Sequence, residues 1–157
     1  MIEARIARVL KTLQEKIPAG IKWAVCGSCN LALRGLDVNV HDIDLATDKE
    51  GAYAIVDLFP PASVTRVELS TAGKERSYHG GMNIGSVAVD IIGDSQFLQA
   101  DDTWSPVRDL DTCYEMIDFM EQPLPVLKLT EEYEGYRNIG RLERAAQILK
   151  YLKQTRA

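Results

Sequence analysis

Two stretches decide how the rest of this chain is read: Ile21-Lys22-Trp23-Ala24-Val25-Cys26-Gly27-Ser28 and, a little further on, Asp42-Ile43-Asp44-Leu45. The first is a short apolar run that ends on a glycine-serine turn. Glycine lets the backbone approach another group closely, and a helix starting beyond it presents free N–H groups and the positive end of its dipole. The second stretch alternates polar and apolar, which is the period of a half-buried strand. Asp42 and Asp44 therefore leave one face while Ile43 and Leu45 point into the core. Strand, glycine turn, helix start and a two-carboxylate ledge predict an α/β (α+β) fold, a mixed β-sheet flanked by helices.

Working outward, Ile2, Ile6, Val9, Leu10 and Leu13 recur at helical spacing, and Pro18-Ala19-Gly20 stops the pattern. Residues 30–34 read as a brief helix closed by Gly35, and Thr47 or Asp48 caps another that runs to about Leu58 and breaks at Pro60-Pro61. Residues 64–69 and 86–92 are β-branched strands, with Gly80-Gly81 suggesting the antiparallel connection between them. A polar loop is expected over 101–111, and a strand over 113–119 ahead of Pro123 and Pro125. The last element reads as one long helix over 130–152, with Thr130 as its cap and Gly135 and Gly140 as weak points. One domain over 1–157 is expected, with a core over about 1–120 and a helical segment over about 128–154.

Composition narrows the class. With 157 residues, 46% of them apolar and 26% charged, the chain suits a single globular domain. A formal charge of −5 argues against a surface that coats nucleic acid. The N-terminal Met1-Ile2-Glu3-Ala4-Arg5 is not the apolar run of a signal peptide, and no stretch is long and uncharged enough to span a membrane, so a cytoplasmic location is expected. Three cysteines do not suggest a disulfide scaffold.

The chemistry rests on the acids. Carboxylate oxygens suit Mg2+ or Mn2+, and magnesium takes its remaining oxygens from water and substrate phosphates. Two such ions ~4 Å apart clamp the attacking and leaving oxygens of an in-line phosphoryl transfer. A third carboxylate is expected on a neighbouring strand, and Asp90 qualifies, because Val87-Ala88-Val89 and Ile91-Ile92 would bury a negative charge that needs a cation. Taken alone, an Asp-x-Asp is more often a solvated strand edge.

Val25-Cys26-Gly27-Ser28, Asp42-Ile43-Asp44 and Val89-Asp90-Ile91, in that order and spacing, resemble the signature of the DNA polymerase beta nucleotidyltransferase superfamily. The likeness covers about the first hundred residues, and the short length is similar to minimal nucleotidyltransferases and to the core of aminoglycoside and lincosamide adenylyltransferases. This resemblance implies that Gly27 and Ser28 hold the phosphates of a nucleoside triphosphate substrate while Asp42, Asp44 and Asp90 ligate two metals. It further implies attack by an acceptor hydroxyl on the alpha-phosphate, with Asp90 as general base and pyrophosphate leaving. The acceptor is a small molecule, an RNA end or a protein hydroxyl. Arg76, and less directly Arg137 or Arg141, are the cations offered for phosphate charge. In the C-terminal segment Glu143-Arg144 and Gln147 depart from the related adenylyltransferases, so no acceptor-binding residue is carried over.

Two rivals stand beside this reading. A non-catalytic module of the same fold would bind nucleotide or a protein partner, because a fold can outlive its chemistry. A thiol redox protein would rest on Cys26 and Cys29 alone, which are more simply a buried strand residue and a loop filler. His41, His79 and the aromatics Tyr53, Tyr78, Trp104, Tyr133 and Tyr136 are read as surface or packing groups. Self-association stays open.

Overall fold

In the computed structural model, which describes residues 2–155, the mixed α/β expectation holds. Met1, Arg156 and Ala157 of the expected 1–157 domain lie outside the described residues. A first helix, α1 (Ala4–Lys16), buries Ile6, Val9, Leu10 and Leu13 and ends ahead of Pro18. Strand β1 (Trp23–Cys26) then leads straight into α2 (Gly27–Leu33). Strand β2 (Ile43–Thr47) precedes α3 (Lys49–Val56), whose cap is Asp48, its side chain accepting from the Gly51 amide at 2.6 Å. Strands β3 (Val64–Ala72), β4 (Glu75–Ile84) and β5 (Val87–Phe97) follow. After a short α4 (Leu110–Cys113) come β6 (Tyr114–Phe119), β7 (Gln122–Leu127), α5 (Leu129–Asn138) and α6 (Leu142–Thr155).

The strands form one seven-stranded sheet in the order β3-β4-β5-β2-β1-β7-β6. Pairing is mixed: β2 runs parallel to β5, β1 parallel to β7, and the other neighbours are antiparallel. Side chains of α1, α3 and the sheet share the main core, in which Leu10, Ile43, Leu45, Ile55 and Ile91 are fully buried. A smaller cluster joins Leu31, Leu36, Leu129 and Ile148, and so seats α5 and α6 against α2. Among the described residues no helix is long and apolar enough to cross a membrane.

Six local expectations change. Gly80 and Gly81 are not a connection but lie inside β4, a strand the sequence pattern does not reveal. The real turns sit at Gly73 (φ 60°) and Gly85 (φ 61°). Glycine is needed mid-strand because a Cβ on Gly81 would stand 2.4 Å from the Val89 carbonyl oxygen, and one on Gly80 2.7 Å from Val67 Cγ2. Strand β7 contains Pro123 and Pro125, in a stretch where the sequence pattern places no element. Both fall on the same parity, opposite Asp118 and Met116, so their missing donors share one edge, and β1 meets β7 there only at Val25–Val126.

The expected 130–152 helix is two helices. Gly140 (φ 81°) takes the left-handed conformation, its N–H donating to the Arg137 carbonyl and that of Arg141 to the Tyr136 carbonyl, which is a Schellman stop. Lys128 rather than Thr130 stands at the start of α5. Finally, α2 begins at Gly27 instead of near Asn30, and Asp42 lies in a bend just before β2 rather than within the strand.

Gly81→Ala forces a methyl group onto backbone, so it is expected to cost at least ~2 kcal/mol and several degrees of Tm. Denaturant unfolding measures the loss, and a variant as stable as the parent would show that the β4–β5 spacing is not tight.

Candidate active site

The sheet register brings the acids together. Cys26 of β1 pairs with Asp44 of β2, and Asp44 pairs in turn with Asp90 of β5. Adjacent strands stand ~4.8 Å apart, so two carboxylates at matched parallel positions on one face must meet. Asp42 reaches the same point from the bend, and the three residues each offer an oxygen within 4.8 Å of the others. Ile43 and Leu45 are fully buried on the opposite face, as the alternation requires.

The first-named turn abuts this cluster. Gly27 has φ 70°, and a Cβ there would lie 2.6 Å from Asp44 Oδ2. Only glycine allows the helix start to press against the carboxylate. Ser28 follows, half-buried, in the first turn of α2. Burial, then repulsion from Asp42 and Asp90, pushes the Asp44 carboxyl up to about 7. Asp90 is also raised, first by burial and then by Asp42, against an opposing pull from His79, whose Nε2 stands 3.9 Å from Asp90 Oδ1. Crowded acids that retain protons for want of a counter-charge are a fitting donor set for a hard divalent cation.

With this geometry in place, the sequence pattern described as aminoglycoside-2''-adenylyltransferase matches residues 5–149. The chain belongs to the aminoglycoside-2''-adenylyltransferase family. Membership makes it a nucleotidyltransferase by family, as its three acids and glycine turn had suggested. A candidate nucleotidyltransferase from Thermotoga maritima is similar over 98% of this chain and 96% of its own, at 35% identity and a TM-score of 0.84. Two more distant structures share the fold. The lincosamide antibiotic adenylyltransferase LnuA, lincomycin-bound, aligns over 84% of each chain at 10% identity and TM-score 0.50. ANT(2'')-Ia, in complex with adenylyl-2''-tobramycin, covers 94% of this chain and 87% of its own at 14% identity and TM-score 0.52. No curated protein matches the chain significantly in sequence.

In this adenylyltransferase-family chain the cleft beside the acids runs between the sheet and α5, and its lining includes Gly27, Asp44, Glu75, Arg108, Glu132 and Tyr136. Arg76 is not part of that lining. Its Nε donates to Gln96 Oε1 at 2.9 Å and its guanidinium lies 4.5 Å from the centre of the Trp104 ring, because strand alternation turns Glu75 to the cleft and Arg76 away. Arg108, from the loop ahead of α4, is the cation that lines the cleft, 3.8 Å from Glu131. Arg141 stacks on the Tyr136 ring at 5.2 Å, so it stands at the cleft's outer edge.

Glu132 escaped the sequence reading. It is buried, accepts from the Gly27 amide at 2.9 Å and from Asn30 Nδ2 at 2.7 Å, and burial pushes it up to about 7. A usable signal existed: Leu129, Glu132 and Tyr136 share one helix face, an acid placed where an apolar residue is expected. The thiols offer no redox site. Cys26, Cys29 and Cys113 are free and buried, and burial raises Cys29 to about 12, Cys113 to about 11 and Cys26 well above its ordinary value.

Asp44 and Glu132 hold protons in the folded state that the unfolded chain has already lost, so the folded state binds more protons as pH climbs from 3.8 toward about 7. Stability must therefore fall across that window and level off above it. In the absence of divalent metal, Tm is expected to decline from pH 5 to pH 8, with a visibly shallower decline in Asp44→Asn. Equal slopes for the two proteins would remove Asp44 as the source.

Proposed function

We propose that this chain transfers a nucleoside monophosphate from a nucleoside triphosphate to the hydroxyl of a small molecule, releasing pyrophosphate. One observation carries the reading: three carboxylates, two from the entry to β2 and one from β5, converge within 4.8 Å beside a glycine turn that presses on one of them. Asp42, Asp44 and Asp90 would hold magnesium or manganese, which when bound neutralises phosphate charge and lowers the pKa of the attacking hydroxyl.

The chain's own groups do the rest. Gly27 removes the side chain that would block a phosphate from the acids, and Ser28 offers its N–H and hydroxyl to the triphosphate. Asp90, more open than Asp44 and raised from its ordinary value by burial and by Asp42, is suited to take the acceptor's proton. His79, 3.9 Å away, stands ready to share that charge. Arg108 is the nearest candidate to meet negative charge on the leaving pyrophosphate.

An acceptor would rest against the α5 wall. There Glu75, Glu131 and Glu132 outnumber Arg108 among the charged lining residues, which favours an acceptor bearing amines. Such a preference agrees with the family's name and with the tobramycin adduct in the ANT(2'')-Ia structure.

The direct test is pyrophosphate release with magnesium, each of the four common triphosphates and a panel of amino-bearing and neutral polyols. Asp42→Asn with Asp44→Asn should lower the rate by about a thousandfold or more, the size expected when several kcal/mol of charge stabilisation is lost, while far-UV circular dichroism stays unchanged. Undiminished release in that double variant would sink the assignment. Amine-bearing acceptors are expected to react faster than neutral ones of equal size, and no difference would remove the acidic wall as a specificity element.

A further inference from the structure

Beyond its share in the acidic lining of the cleft, Glu132 has no step in the proposed transfer, yet this side chain touches the turn at Gly27 directly. It is only 5% exposed, and Oε2 alone receives both the Gly27 amide at 2.9 Å and Asn30 Nδ2 at 2.7 Å. Asn30 Nδ2 also donates to the Leu127 carbonyl at 2.9 Å, so the network ties α2 to the end of β7 and to α5. An acidic oxygen on a glycine-turn amide stands where such turns commonly receive a phosphate oxygen. Here the place is taken by the protein itself.

Two consequences follow from the geometry. Gly27 sits at φ 70° with its N–H spoken for by a group from the opposite wall of the cleft, so the turn cannot relax without breaking a buried hydrogen bond. Ser28 is then the residue left to meet phosphate. We propose that Glu132 is a positioning residue of the nucleotide site: it clamps the Gly27-Ser28 turn in its phosphate-receiving shape and joins that turn to α5, the wall that would carry the acceptor. This rests on the nucleotidyl-transfer reading above. A rival role is separable by sign. Were Glu132 a competitor that must leave before the triphosphate enters, its removal would strengthen binding; as a clamp, its removal weakens binding.

The probe is magnesium tripolyphosphate, which presents the phosphate chain without a base. Wild-type protein labelled with 15N should show the Ser28 amide moving on titration while the Gly27 amide, still held by Glu132, moves much less. By calorimetry Glu132→Ala should bind the probe about tenfold to a hundredfold more weakly, as leaving two buried donors without their acceptor predicts. Glu132→Gln keeps an oxygen for both donors and the side-chain shape, so it should remain within about threefold of wild type on the same energetic scale. It also guards against a folding failure of the alanine variant.

With the best acceptor from the panel, Glu132→Ala should raise the triphosphate KM more than it lowers kcat, a split that general loss of stability does not produce. Unchanged or tighter binding in Glu132→Ala, or a Gly27 amide that shifts as far as Ser28, overturns the clamp while leaving the transfer reading intact. Failure of the wild-type protein to bind the probe overturns both.

Discussion

Like charges forced together are the constraint around which this molecule is organised. Asp44 and Asp90 occupy matched positions on parallel neighbours, and Asp42 is brought to them by the bend that enters β2. Nothing in chain packing favours such a meeting, since each added carboxylate raises the cost of ionising the next. The surrounding apolar core holds them there: Ile43, Leu45, Val89 and Ile91 alternate with the acids and are essentially fully buried. Burial of those four side chains fixes the register, and the register fixes the acids. The folded state carries that electrostatic penalty because the packing of these four side chains outweighs it.

Legibility followed periodicity. The ledge at Asp42 and Asp44, the strand around Asp90 and helix α1 were readable because alternation or helical spacing is written into consecutive residues. Strand β4 was not, since Glu75–Ile84 owes its place to Gly80 and Gly81 admitting the backbone and side chains of neighbouring strands, a requirement that only the neighbours reveal. The prolines of β7 signal a break by local rules and are tolerated because their missing donors share one edge of the strand. The division of the C-terminal segment was half legible, through Gly140, though the sign of its φ was not.

The site divides along the same line. Gly27, Ser28, Asp42, Asp44 and Asp90 lie in motifs that order and spacing can expose. Glu132, Glu75 and Arg108 enter the cleft from segments whose only link to the motifs is spatial. Arg76 shows the cost of one residue of parity in a strand: its neighbour Glu75 faces the cleft, while Arg76 packs on Trp104.

The bond from Gly27 to Glu132 spans 105 positions of sequence, and β1 must also find β7 before α5 can lie across the cleft. Contacts of such separation are formed late, because loop-closure entropy is spent before they stabilise anything. A growing polypeptide on the ribosome can thus bring its aspartates into register once β5 has emerged, yet its Gly27 turn stays unfastened until α5 is made. That bond closes only in the C-terminal third of synthesis, so a chain cut short there would carry every motif residue and still lack the fastening between α2 and α5.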